Sequence, residues 1–264
     1  VNISATMQYK EVEPEEGDVA VKVTLKNLRG GHSGLEINQG RANANKLMAR
    51  FVRQAIADDE ARLASWNGGN MRNAIPRTAQ VVLTVPAENL EDLKDLVAYC
   101  EGVFANEFYG VEEGISLTLE QTEMPAGEVP VEIQDNLVDA LMACHDGVLR
   151  NIPSIPSVVE TSSNLGIVEI GSGEAKVLIL ARSSNDTMME YIQEMQECCF
   201  NMAGMKVEYG GQYGAWQPNF ESPITATMVN VYKEIFQEDA QVQVCHAGLE
   251  CSIIGGKYPQ MDLV

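Results

Sequence analysis

Between Asp18 and Leu28 the chain alternates strictly: Val19, Val21, Val23 and Leu25 lie on one side, Lys22, Thr24 and Lys26 on the other. Side chains leave an extended backbone on opposite faces with a period of two, so this is a strand with one face in a core and one outside it. Beyond it the period changes. Leu47, Met48, Phe51, Val52, Ala55 and Ile56 recur at helical spacing across residues 38–57. A half-apolar strand followed by a half-apolar helix must bury both faces against each other, which requires a layered fold of helices on sheet.

The same reading extends along the chain. Short strands are expected at Ala61–Trp66 and Thr78–Val85, a helix at Asn89–Phe108 and a strand at Gly114–Gln121. Glu123–Val131, rich in Pro, Gly and Glu, reads as a connector, and a helix follows over Ile133–Cys144. Val158–Ile170 and Ala175–Ala181 read as strands joined by Gly171-Ser-Gly173, then Asn185–Met202 as a helix capped by Asn185 or Asp186, then Met205–Tyr209 as a strand. Strand–strand–helix–strand thus occurs in 61–121 and again in 158–209, a duplication of element order without residue identity. After Gly210-Gly211, Ser222 and Pro223 open a helix through Phe236, Val242–Cys245 is a short buried strand, and His246–Glu250 leads into Cys251–Ile254. Element order alone reads as α/β, with a domain boundary near residue 211.

The formal net charge of -20 argues against a nucleic-acid partner, since phosphate binding needs clustered Lys and Arg. Acidic stretches such as Glu11–Glu16, Asp58–Glu60 and Glu234–Asp239 read as solvated faces. The six cysteines form no CxxC pair and fit free thiols in a reducing compartment. No apolar run is long enough to cross a membrane. No signal sequence follows Val1, and Val264 ends an apolar run, so both ends read as cut from something longer.

Three histidines can be weighed one by one. His32 lies in Gly30-Gly31-His32-Ser33-Gly34, where flanking glycines expose the imidazole and admit a close backbone, a functional setting. His145 follows a helix and reads as a surface histidine favoured by the helix dipole. His246 sits at a strand-to-helix turn with Glu250 four residues on. Half of a metal site and a substrate-facing role are both open there. No HxD or HExxH pattern builds a two-metal site, and the absence of GxSxG disfavours a serine hydrolase. Arg182 could be an ordinary strand-end charge, and Asn73 could merely shape the turn beside Gly68-Gly69.

Four segments carry a resemblance: Lys26-Asn-Leu-Arg-Gly-Gly-His-Ser-Gly34, Asn67-Gly-Gly-Asn-Met-Arg-Asn-Ala-Ile-Pro-Arg77, Trp216-Gln-Pro218 and His246-Ala-Gly-Leu-Glu-Cys251. In order along nearly the whole chain, they resemble the aminoacyl-histidine dipeptidase family, among the co-catalytic zinc peptidases that include carnosinase and the glutamate carboxypeptidases. The resemblance implies an α+β lid domain over 1–210, with antiparallel sheets, helices on one face and sub-repeats at about 17–122 and 157–210. An α/β piece of a catalytic domain would follow over 211–264. It implies a cytoplasmic metallo-dipeptidase acting on unblocked dipeptides such as those ending in histidine, with a homodimer as a further partner. Two zinc ions would be held by ligands outside this chain, leaving the chain itself inactive. In the family a zinc-bridging hydroxide attacks the scissile carbonyl and a glutamate acts as base. By resemblance His32 stabilises the oxyanion, Arg182 receives the dipeptide's carboxylate, Asn73 reaches the same end, and His246, Gly248 and Glu250 line the substrate pocket. Because a doubled lid mimics the neighbour that lends its histidine in smaller-lidded relatives, His32 is expected to serve its own subunit. A stand-alone dimerisation or binding module, and an inactive peptidase relative, are the competing readings.

Overall fold

The computed structural model describes residues 1–211, 219, 221–242 and 250–264. Its elements are β1 (Asn2–Gln8), β2 (Asp18–Lys26), β3 (Gly31–His32), α1 (Ala44–Asp59), β4 (Arg62–Gly68), β5 (Ala74–Ile75), β6 (Ala79–Pro86), α2 (Leu90–Glu107) and β7 (Ser116–Gln121). There follow α3 (Val131–Ala143), β8 (Gly147–Ile152), β9 (Ile155–Gly171), β10 (Glu174–Ser183), α4 (Asp186–Met202), β11 (Lys206–Gly210), α5 (Pro223–Phe236) and α6 (Glu250–Lys257).

Nine strands form one sheet in the order β11-β1-β10-β9-β4-β6-β2-β7, with β8 paired to β9, and β3 and β5 make a small ribbon. Every described ladder is antiparallel, so residues 1–210 are α+β and not the α/β that element order alone suggests. The strand order is a palindrome of connectivity. In β2-α1-β4-β6-α2-β7 the first strand lies between the third and the fourth, the split βαβ arrangement of ferredoxin-like units. β1, α3, β9, β10, α4 and β11 repeat that order, with the whole first unit inserted between β1 and α3. The expected separate sheets are therefore one, joined where Trp66, Asn67 and Gly68 of β4 pair with Ile170, Glu169 and Val168 of β9.

The alternation in β2 places Val21, Val23 and Leu25 in the core, where they meet Phe51, Met48 and Val52 of α1 and Val81, Leu83 and Val85 of β6. Helices α2, α1, α3 and α4 touch in that sequence, a row along one face of the sheet. α1 starts six residues later than its apolar spacing suggests. Asn43 is its cap, accepting from Asn45 N at 2.9 Å, and residues 38–43 remain in the loop that carries His32.

A buried polar knot holds the two units together. Asn45 Oδ1 accepts from Trp66 Nε1 at 3.2 Å, and its Nδ2 donates to Gly68 O at 3.2 Å. Asn43 Nδ2 donates to Leu165 O at 3.1 Å and to Asp146 Oδ1 at 2.9 Å. Lys46 Nζ donates to the carbonyls of Leu141, Met142 and Cys144 at 2.7–2.9 Å, capping the end of α3 from α1. Asn43 and Lys46 of the first unit thus bond to Leu165, Asp146 and the end of α3 in the second, which fixes the register that apolar packing alone leaves loose.

The end of the chain is different. No residue of α5 is buried, and Ile235 and Phe236 are 66% and 59% exposed. Of the strand expected at Val242–Cys245, Val242 lies outside any strand, and 243–245 lie outside the described residues.

Candidate functional site

The candidate site lies on the face of the sheet that the helices leave open. Along β10, Ala175, Val177, Ile179 and Ala181 enter the core, so Lys176, Leu178, Leu180 and Arg182 point the other way. Arg182 is the last but one residue of the strand, opposite Ser162 of β9.

A strap, residues 69–75, crosses β9 on this face. Leu178 pairs with Ile167 and Ile179 with Leu165, which leaves Gly166 as an extra residue in a bulge. The strap runs so close that a Cβ on Gly166 would lie 2.7 Å from Arg72 O. Asn164 Nδ2 then donates to the carbonyls of Arg72 and Ala74, both at 2.9 Å. Ala74 faces His32 across the β3–β5 ribbon, and Ser33 N donates to Asn73 O at 3.0 Å. The second unit thus positions the strap, and the strap positions the histidine of the first unit.

The loop after His32 fixes its protonation geometry. Gly34 N and Leu35 N both donate to His32 Nδ1, at 3.2 and 3.0 Å. A nitrogen that accepts two N–H groups carries no proton of its own, so the neutral ring holds its proton on Nε2 and presents a donor there. Burial, and then the nearby Arg182 guanidinium, lower the imidazole below its ordinary value, with Glu36 pulling weakly the other way. Near neutral pH His32 is therefore a neutral Nε2–H donor. That suits holding a developing negative oxygen better than abstracting a proton. Glu36 orders the loop: Oε2 accepts His32 N at 2.7 Å, and Oε1 accepts Arg41 Nη2 at 2.5 Å.

Gly34 brings the histidine and the arginine together. A Cβ there would lie 3.0 Å from His32 Cε1 and 3.2 Å from Arg182 Nε, so the two side chains converge on the space a larger residue would fill. His32 comes from the first unit and Arg182 from the second. Their meeting is a product of the fusion of units within one chain.

Of the other expected site residues, Asn73 is exposed and lies next to this pair, contributing its backbone carbonyl to the loop. Glu250 is the exposed first residue of α6. His246 and Gly248, like Trp216-Gln-Pro218, lie outside the described residues. His145 is half-buried and not a surface group. Its Nδ1 is 2.7 Å from Ser163 Oγ, which donates to His145 O at 2.8 Å, while Gln196 Nε2 donates to the same carbonyl at 2.7 Å. This is a structural knot under α4.

Sequence reasoning missed Asn164 and Gly166. A signal existed: Glu160-Thr-Ser-Ser-Asn164 is polar at every position yet wholly buried, an unusual stretch for a strand centre. Among the described residues no group of three or more His, Cys, Asp or Glu side chains could hold a metal ion.

Comparison with known proteins bears on the sequence and the fold. The peptidase dimerisation domain matches residues 23–112, the span of the first unit from β2 to just beyond α2. Cytosol non-specific dipeptidase of Escherichia coli (strain K12) is 37% identical over 243 residues, 92% of this chain and 50% of its own. The crystal structure of aminoacylhistidine dipeptidase from Vibrio alginolyticus superposes with a TM-score of 0.93 at 34% identity, covering 99% of this chain and 53% of that one. The chain spans about half the length of both relatives. It is thus similar, in sequence and fold and along nearly all its length, to aminoacylhistidine and cytosol non-specific dipeptidases, and its residues 23–112 match the peptidase dimerisation domain.

Proposed function

We propose that these residues form the lid, 1–210, and part of the catalytic region, 211–264, of a zinc-dependent cytoplasmic dipeptidase that hydrolyses unblocked dipeptides such as those ending in histidine. The zinc ligands lie outside this chain, and the chain alone is inactive. Here His32 Nε2–H donates to the carbonyl oxygen as negative charge develops on it. The Arg182 guanidinium meets the dipeptide's carboxylate with two parallel hydrogen bonds. Asn73 contacts the same end, and His246, Gly248 and Glu250 line the pocket. The dimerisation domain makes a second copy of the chain a further partner, while each site takes His32 and Arg182 from one chain.

The observation that supports this most is the doubly accepting Nδ1 of His32 beside Arg182. It produces a neutral donor next to a carboxylate-binding cation, the pair that peptide hydrolysis at a free C-terminus requires. Loss of one such donor costs about 10²–10³ in turnover.

The test measures zinc content and turnover of a dipeptide ending in histidine, and of its C-terminal amide, for this chain and for the longer enzyme. Activity and zinc confined to the longer enzyme, lost in His32→Ala and with acid preferred over amide only while Arg182 is present, support the reading. Activity in this chain alone would overturn it. Rescue on mixing His32→Ala with Arg182→Ala subunits would overturn the assignment of both residues to one chain.

A further inference from the structure

The loop that holds His32 is closed by a residue far from every motif. Glu112 follows α2 and is only 4% exposed. Its Oε2 accepts Arg29 N at 2.7 Å, and its Oε1 accepts Ala42 N at 3.0 Å. Arg29 precedes the glycine pair ahead of His32, and Ala42 precedes the Asn43 cap of α1. One carboxylate therefore pins both ends of the 30–41 loop, with His32, Glu36 and Arg41 inside it. The Glu112 turn is itself fixed, because Glu112 N donates to Phe108 O at 2.9 Å and Arg29 Nη1 to Val111 O at 3.4 Å.

Both donors to Glu112 are backbone N–H groups, at the two ends of the loop. An uncharged acceptor is a poor replacement: hydrogen bonds to an ionised carboxylate are about twice as strong as neutral ones. A glutamine can accept with one oxygen only, and its amide nitrogen would face the second N–H. Burying an acidic side chain is costly unless its hydrogen bonds are made, and two good ones are made here, at the base of the candidate catalytic loop.

We propose that Glu112 is a positioning residue for His32, clamping the two ends of the His32 loop so that Nε2–H is held at the reacting carbonyl. The proposal rests on the reading of His32 as the oxyanion donor. Glu112 touches neither substrate nor reacting atoms. Its effect passes through Arg29 N and Ala42 N to the loop geometry that sets the tautomer of His32.

The experiment compares Glu112→Gln with His32→Ala in the longer enzyme, and follows the ring nitrogens of His32 by NMR in the 264-residue chain. Loosening the clamp should lower kcat about 10²-fold, the scale of a misplacement of about 1 Å, with KM held within about twofold. The His32 ring in Glu112→Gln should lose its single Nε2–H signature and average between tautomers. An unchanged kcat in Glu112→Gln alongside a collapsed His32→Ala would overturn the clamp and leave the reading of His32 standing. An unchanged kcat in His32→Ala would overturn that reading, and the clamp with it. If Glu112→Gln does not fold, Glu112→Asp keeps the charge and shortens the reach. A wild-type kcat and tautomer in that variant would equally overturn the proposal.

Discussion

Asn164 of β9 hydrogen-bonds the carbonyl of Ala74, the residue that faces His32 across the two-stranded ribbon. A buried amide in one unit therefore sets the height of a histidine in the other. Replacing Asn164 with Ala should leave the Arg72 and Ala74 carbonyls without their donor and cost about 1–3 kcal/mol of stability. Urea unfolding of the 264-residue chain reads this directly. A loss under a few tenths of a kcal/mol would mean that the strap is held by other contacts.

Gly34→Ala tests the convergence of His32 and Arg182. The new methyl would press on the His32 imidazole at 3.0 Å and on the Arg182 guanidinium at 3.2 Å and push them apart. In the longer enzyme the expected outcome is a fall in kcat/KM of about 10²-fold with little change in unfolding midpoint. Turnover near wild type would show that the two side chains need not be that close.

The protonation of His32 gives a prediction with a definite sign. Its folded value lies below the ordinary imidazole value of 6.5, so the unfolded chain takes up the proton first on acidification. The contribution of His32 to stability is fully present above the ordinary value and is lost as pH falls below it. The stability difference between wild type and His32→Ala should shrink over that interval, and the Gly34 and Leu35 amide resonances should move with the histidine titration. A His32 that titrates above the ordinary value would contradict the accepting role of Nδ1.

α5 presents Ile224, Met228, Val231, Ile235 and Phe236 to solvent, an apolar surface that a stable monomer rarely leaves uncovered. The isolated chain should associate in a concentration-dependent way, and a double change of Ile235 and Phe236 to Ser should reduce that association in sedimentation velocity. Equal behaviour of the two proteins would remove α5 from the contact.

How much of this was legible depended on whether a residue's role was local. The alternation at Val19–Leu25 located β2, and the helical spacing from Leu47 located α1, because period reports directly on which face is buried. Asn185 as the cap of α4 and Ser222 as the cap of α5 were equally local, each needing only the following turn. β1 escaped because Asn2–Gln8 carries only Ile3 and Ala5 into the core, too short a pattern to stand out, and its nearest partner, Glu174 opposite Gln8, lies 166 residues on. β8 was missed because its residues are half-exposed and its pairing with β9 slips register three times.

The site followed the same division. His32 stood out through its glycines, and Arg182 through the family motif at a strand end. Asn164 and Gly166 act on His32 only through a strap that folds over a bulge, and no spacing in sequence encodes that crossing. The assignment of one sheet instead of two turned on Trp66 meeting Ile170, a pairing between units that neither unit announces by itself.

The nesting of the first unit between β1 and α3 also orders events in time. β2 through β7 are contiguous, so that half can complete its four strands as soon as residue 121 is available. β1, made before that unit, has no partner until β10 and β11 exist, and must wait unpaired while the residues between are made. Of the two, the inner unit can form first and the outer unit closes around it, with β1 zipped into place only after strands made long after it.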